Sequence, residues 1–156
     1  MGTTGAGKTT IGGMLAAQLN WQLSDADTFH PPANIEKMSR GIPLNDTNRA
    51  PWLAAMRKAI LEWIAAGKNV VLACSALKRA YRDELRPSPQ VKIVYLKGNY
   101  ALFAERIRQR HGHFAGEGIL AGQFADLEEP DDAITIDAAK SPEEIVAGIR
   151  KQLGIS

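Results

Sequence analysis

Met1-Gly2-Thr3-Thr4-Gly5-Ala6-Gly7-Lys8-Thr9-Thr10 opens the chain and fits the pattern G-x-x-x-x-G-K-[ST] at every fixed position. Gly2, Gly5 and Gly7 admit positive φ, so the backbone N–H groups of residues 2–10 can close on one anion at a helix N-terminus. In such a loop Lys8 reaches the β- and γ-phosphates of a nucleotide and the Thr9 hydroxyl takes Mg²⁺, while a helix over residues 10–19 adds its dipole. A loop of this kind follows a buried parallel strand, and only Met1 stands before it here. The reading therefore expects a slot in the sheet where that strand would lie, from a truncation or a wrongly assigned start codon.

The 156 residues are expected to form one domain. Hydrophobic residues at 45% and charged residues at 23% argue for an ordinary globular core and against a disordered or membrane chain. A net charge of +2 with interspersed signs argues against a nucleic-acid face or a polybasic membrane patch, which leaves anionic small molecules as partners. Cys74 is the single cysteine, so no internal disulfide can form and no cysteine cluster can bind metal. No stretch approaches the ~18 apolar residues of a spanning helix, and the cytoplasm is the expected compartment.

Residues 21–24 read as a strand that delivers Asp25 and Asp27 at its C-terminal end, where open α/β sheets bind ligands. A helix is expected around residues 35–40. A long amphipathic one follows, running to residue 66, with Asp46 as its N-cap, Pro51 near its start and Gly67 as its stop. Residues 69–74 and 91–96 read as buried strands with a charged helix over 78–86 between them. A helix over 100–110 leads into residues 111–122, whose glycines and weak periodicity suit a mobile flap. A short strand over 133–136 precedes a last helix capped by Ser141, with Pro142 at its first position and Glu144 completing a capping box. Strands alternating with helices make a three-layer α/β/α sandwich around a parallel sheet.

A phosphate loop alone says that a nucleotide binds; an acceptor site beside the γ-phosphate makes a kinase. Asp25, Asp27, His30, Arg49, Lys78 and Arg110 supply one, because phosphoryl transfer needs a carboxylate for the acceptor hydroxyl and cations for the developing charge. Taken singly these residues read as caps, surface ion pairs or packed loop residues. Their joint placement after strands favours the site.

Residues carrying this pattern also resemble a family, the bacterial-type gluconokinases of the shikimate-kinase-like group of P-loop kinases. The likeness rests on Gly2 to Thr9, on Asp25-Ala26-Asp27-Thr28-Phe29-His30-Pro31, on Gly41-Ile42-Pro43-Leu44-Asn45-Asp46 with Arg49 and Pro51-Trp52-Leu53, and on Cys74-Ser75-Ala76-Leu77-Lys78. Tyr81-Arg82-Asp83, Gly112-His113-Phe114 and Gln123-Phe124 extend it over nearly the whole chain. The resemblance implies ATP-dependent phosphorylation of D-gluconate to 6-phosphogluconate, Mg²⁺ as cofactor, and often a homodimer. On it, Gly2, Thr3, Thr4, Gly5, Ala6, Gly7, Lys8, Thr9 and Thr10 hold ATP. Asp27 orients or deprotonates the primary hydroxyl, and Thr9 with Asp25 serves the metal. Arg49, His30, Lys78 and His113 meet the sugar acid, and Arg110 covers the transferring phosphoryl group. The sequence departs from the family at Ala26, where glycine is usual, and in the flap at Ala115, where an aromatic commonly follows. A kinase for shikimate or a nucleoside monophosphate on the same scaffold stands as an alternative, as does a nucleotide-binding module without turnover.

Overall fold

The apolar spacing of the chain resolves into four short strands and seven helices among the described residues, 1–111 and 117–155, of the computed structural model. Helix α1 (Lys8–Leu19) leads into β1 (Gln22–Asp25) and a 3₁₀ turn (Ala26–Phe29). Helices α2 (Pro32–Ser39) and α3 (Asp46–Ala65) precede β2 (Val70–Ala73), and α4 (Arg79–Leu85) precedes β3 (Val94–Lys97). Next come α5 (Tyr100–His111), α6 (Glu117–Asp126), β4 (Ile134–Asp137) and α7 (Pro142–Leu153). Strands β1 and β2 pair in parallel with Leu23 opposite Val71, and β3 and β4 do so with Leu96 opposite Ile136.

Successive strand residues point to opposite faces, and the core divides accordingly. Val71 packs with Ile11, Leu15, Phe103, Val146 and Ile149, whereas its neighbour Leu72 packs with Trp52, Leu53, Met56 and Ile60. Helices on both faces of parallel strands make the expected three-layer sandwich.

Capping chemistry sets several boundaries. Gly67 ends α3 at φ 67°, and the Ser141 hydroxyl accepts from Glu144 N at 3.2 Å with Pro142 at the first position of α7. The N-cap of α3 is Asn45 rather than the expected Asp46. The side chains of Asn45 and Asn48 each accept from the other's backbone N–H, at 2.8 and 3.1 Å. Asp46 is thereby the first helical residue, and its carboxylate turns to another task. Pro51 lies inside α3, near its start.

Half of the expected flap is helical. Residues 117–122 belong to α6, in which Leu120 is fully buried and Phe124 packs on Tyr100 and Phe103 at ring distances of 5.7 and 6.2 Å. Gly118 and Gly122 have open space where a side chain would project, so they cost helix propensity, ~1 kcal/mol each, without disturbing that packing. Residues 112–116, with His113 and Ala115, lie outside the described residues.

The expected slot is present between β2 and β3, each of which pairs with a strand on one side only. Met1 and Gly2 alone bridge it: Gly2 N donates to Ser75 O at 3.2 Å, Leu96 N donates to Met1 O at 3.0 Å, and the Met1 amino group donates to Val94 O. The rest is a cavity of about 650 Å³, lined by Val71, Ala73, Val94, Leu96, Ile149 and other residues. Burial is the largest influence on the Met1 amino group and lowers its pKa from 8.0 to about 5.

Two outcomes follow from this geometry. Fusing six β-branched apolar residues ahead of Met1 fills the cavity and pairs both open strand edges, and should raise Tm by about 5–10 °C in thermal unfolding, whereas a Gly-Ser fusion of the same length should not. An amine whose folded pKa lies below its unfolded one makes the unfolded chain bind the extra proton, so stability of the 156-residue chain falls as pH drops from 8 to 5. The apolar fusion turns that amine into an amide, and denaturant titrations should show this part of the pH dependence vanish.

Candidate active site

The phosphate loop forms as the glycine spacing requires. Gly5 turns at φ 82°, where a Cβ would meet Phe103 O at 3.0 Å, and Gly7 caps α1 at φ 93°. α1 therefore starts at Lys8, two residues earlier than expected, which places Thr9 and Thr10 in its first turn, both exposed. Lys8 Nζ donates to Thr3 O at 2.9 Å across the loop. Burial is the largest influence on its pKa and lowers it, while the charges of Cys74, Asp27 and Asp25 pull it back up. A desolvated ammonium with carboxylates beside it is well suited to an anion that carries its own metal or protons.

The carboxylates come from the end of β1. The side chain of Asp25 caps the 3₁₀ turn by accepting from Asp27 N at 2.9 Å, and both residues are exposed. Ala26, between them, is 2% exposed and keeps negative φ, so the turn that usually holds glycine accepts a methyl group. Trp52 Nε1 donates to Ala26 O at 2.8 Å, and the Trp52 indole stacks on His30 with centroids 4.6 Å apart. Burial, ahead of the opposing charge of Asp27, lowers the His30 pKa; Arg49 lowers it further. His30 is thus a neutral ring near neutral pH, held through Nδ1 by Asn34 Nδ2 at 3.2 Å.

The structure brings Lys8, Asp25 and Asp27 within electrostatic reach of one another, and Asp27, His30 and Arg49 likewise. Arg49 and Lys78 meet through residues to which sequence reading gave no part in the site: Arg49 Nη1 donates to Tyr81 Oη at 3.1 Å, and Lys78 Nζ donates to Asp46 Oδ1 at 3.0 Å. Arg110 is exposed in the last turn of α5. Arg106, one turn earlier, is the arginine that reaches the phosphate loop, donating to Gly5 O at 3.3 Å and Ala138 O at 2.5 Å. No sequence signal marked it, because the approach of Phe103 under Gly5 is set by the fold.

Two further residues entered the sequence reading only as family matches, without a role. Arg82 is 4% exposed, and its guanidinium donates to Ala76 O, Leu77 O and Glu128 O at 2.8, 3.0 and 2.7 Å. It thereby braces a turn in which Ala76 is held at φ 46° and from which Lys78 projects. Gln123 Oε1 accepts from Thr4 N at 2.6 Å and joins α6 to the loop. Cys74 is buried, which pushes its thiol up to about 11 and leaves it an inert core residue.

Comparison with known proteins identifies the family. The family model described as shikimate kinase matches residues 4–153. A gluconokinase of Gluconobacter oxydans (strain 621H) is 42% identical over 150 residues, 94% of this chain and 84% of that protein. The thermoresistant gluconokinase of Escherichia coli (strain K12) is 40% identical over 94% of this chain and 87% of its own length. A crystal structure of a gluconokinase from Sinorhizobium meliloti 1021 superposes with a TM-score of 0.88 at 40% identity, covering 99% of this chain and 89% of that one. With the loop, the carboxylate turn and the cation cluster all in place, the chain belongs to the gluconokinase family, within the shikimate-kinase-like P-loop kinases.

Proposed function

We propose that this chain phosphorylates D-gluconate at its primary hydroxyl, with ATP as donor, giving 6-phosphogluconate. The observation that carries the reading is the position of Asp27, whose charge acts on both Lys8 of the phosphate loop and His30 of the acceptor side. A carboxylate placed between donor and acceptor can accept or orient the hydroxyl proton as the oxygen attacks the γ-phosphorus in line. Lys8, drawn from Thr3 O to the β- and γ-phosphate oxygens, neutralises the charge that develops there. The loop N–H groups of residues 2–10 hold the phosphate chain.

On the acceptor side Arg49 and Lys78 take the carboxylate of the sugar acid, Arg as a planar fork and Lys as a point charge. Neutral His30 offers a ring nitrogen to a hydroxyl. Arg110, at the base of residues 111–122, is assigned to the transferring phosphoryl group, and His113 to the acceptor. Thr9 and Asp25 are hard oxygen donors at the mouth of the loop and fit Mg²⁺, which keeps several waters and phosphate oxygens among its ligands; among the described residues no larger cluster of His, Cys, Asp and Glu competes for it. Bound there, the ion would neutralise phosphate charge. No helix among the described residues is long and apolar enough to cross a membrane, and we place the reaction in the cytoplasm, where ATP is made available.

The test is ATP consumption with gluconate, shikimate and nucleoside monophosphates as acceptors. Turnover confined to gluconate supports the reading; turnover with another acceptor, or none above the acceptor-free rate, overturns it. Lys8→Ala should lower kcat by about 10²–10³-fold with an unchanged circular dichroism spectrum. In Arg49→Ala, steady-state kinetics should show KM for gluconate raised about tenfold or more and KM for ATP little altered.

A further inference from the structure

The two acceptor-side cations are not placed independently. Arg49 stands in the first turn of α3 and Lys78 caps α4, two helices that pack on one core, so their long side chains converge from different elements. Tyr81, in the first turn of α4, lies between them. Its hydroxyl accepts from Arg49 Nη1 at 3.1 Å and donates to Asp46 Oδ1, and that same oxygen accepts from Lys78 Nζ at 3.0 Å. The phenol ring also faces both cations, with Arg49 Cζ 5.7 Å and Lys78 Nζ 5.6 Å from its centroid.

Only one member of this group is buried. Tyr81 is 7% exposed and packed in the core with Met56 and Leu85, whereas the Asp46 side chain is 69% exposed. The hydrogen bond from Tyr81, then that from Lys78, hold the Asp46 carboxyl below its usual range, so the relay is ionised at neutral pH. Arginine and lysine each carry rotamer entropy that a substrate must otherwise freeze. A buried phenol that already orients both lets the acceptor meet a preformed pair.

We propose that Tyr81, with Asp46 as its relay, is the positioning residue that fixes Arg49 and Lys78 into one two-pronged receptor for the carboxylate of the acceptor. This rests on the assignment of those cations to the carboxylate. Only one of the five Arg49 N–H donors goes to Tyr81. The group as a whole sets two positive charges beside one negative, so the receptor selects an anion that can also tolerate a neighbouring carboxylate, as a polyhydroxy acid does through its hydroxyls.

Tyr81→Phe in the full chain keeps the ring and removes both hydroxyl bonds. Expected is a three- to tenfold rise in KM for gluconate, with KM for ATP unchanged and Tm within about 2 °C of the parent. Asp46→Asn, which leaves the buried ring untouched, should move KM for gluconate in the same direction. In the Arg49→Ala, Tyr81→Phe double variant the rise should be smaller than the product of the single rises, because the hydroxyl acts through the arginine. Unchanged KM for gluconate in Tyr81→Phe, an equal rise in KM for ATP, or fully multiplicative losses would overturn the proposal. If Arg49→Ala itself leaves KM for gluconate unaltered, the carboxylate assignment fails; if Arg49→Ala raises it and Tyr81→Phe does not, the positioning role alone fails.

Discussion

The site depends on two main-chain hydrogen bonds that hang the phosphate loop from the sheet, Gly2 N to Ser75 O and Leu96 N to Met1 O. A loop whose function is to aim N–H groups at an anion needs a fixed origin, since each glycine that permits the turn also loosens it. Met1 and Gly2 supply that origin by joining β2 on one side and β3 on the other. Arg106 fixes the far side of the loop through Gly5 O, and Phe103 closes beneath it. The same bridging explains why the two halves of the sheet stay in register across a largely empty cavity.

Electrostatics then decides where each reactant goes. The donor end is enclosed: Lys8 is desolvated enough to lower its pKa, and it answers to an anion strongly because little water screens it. The acceptor end is open, and its cations carry their own counter-charge in Asp46, without which Arg49 and Lys78 would repel each other and the site would bind anions indiscriminately. On the proposed function, the enclosed end would supply transition-state charge and the open end selection.

Much of this was legible in the sequence. The glycine-lysine spacing fixed the loop, the apolar runs placed all four strands to within three residues at either end, and Gly67 and Ser141 marked boundaries through chemistry local to those residues. What escaped depends on contacts distant in sequence. Residues 117–122 read as flap because Gly118 and Gly122 suppress helical periodicity; the burial of Leu120 and Phe124 against α5 overrides that propensity. Arg106 was passed over because the approach of Gly5 to α5 was not visible in the sequence. Asp46 looked like a cap because any Asp before a helix does, and only the reciprocal bonds of Asn45 and Asn48 free it for Lys78 and Tyr81. Arg82 was visible only as part of a family block; its bracing role was not, since three carbonyl partners at sequence separations of 5, 6 and 46 leave no pattern.

The acceptor side has a single ruler, the first two turns of α3. Asn48 offers its carbonyl to Asn34 at 2.8 Å, and Asn34 in turn holds His30; Arg49 meets Tyr81; Trp52 binds Ala26 O and stacks on His30. Side chains three or four apart on a helix share a face, so one rigid element sets the carboxylate turn, the neutral histidine and the arginine at fixed separations. The Ala26 methyl group is tolerated for the same reason: the turn takes its shape from Trp52 rather than from glycine's freedom at that position. A site assembled from loops would have to lose conformational entropy when its ligand arrives; here most of that loss has already occurred in folding, with Trp52 and Met56 buried at 5% and 0% exposure to anchor the helix that carries it.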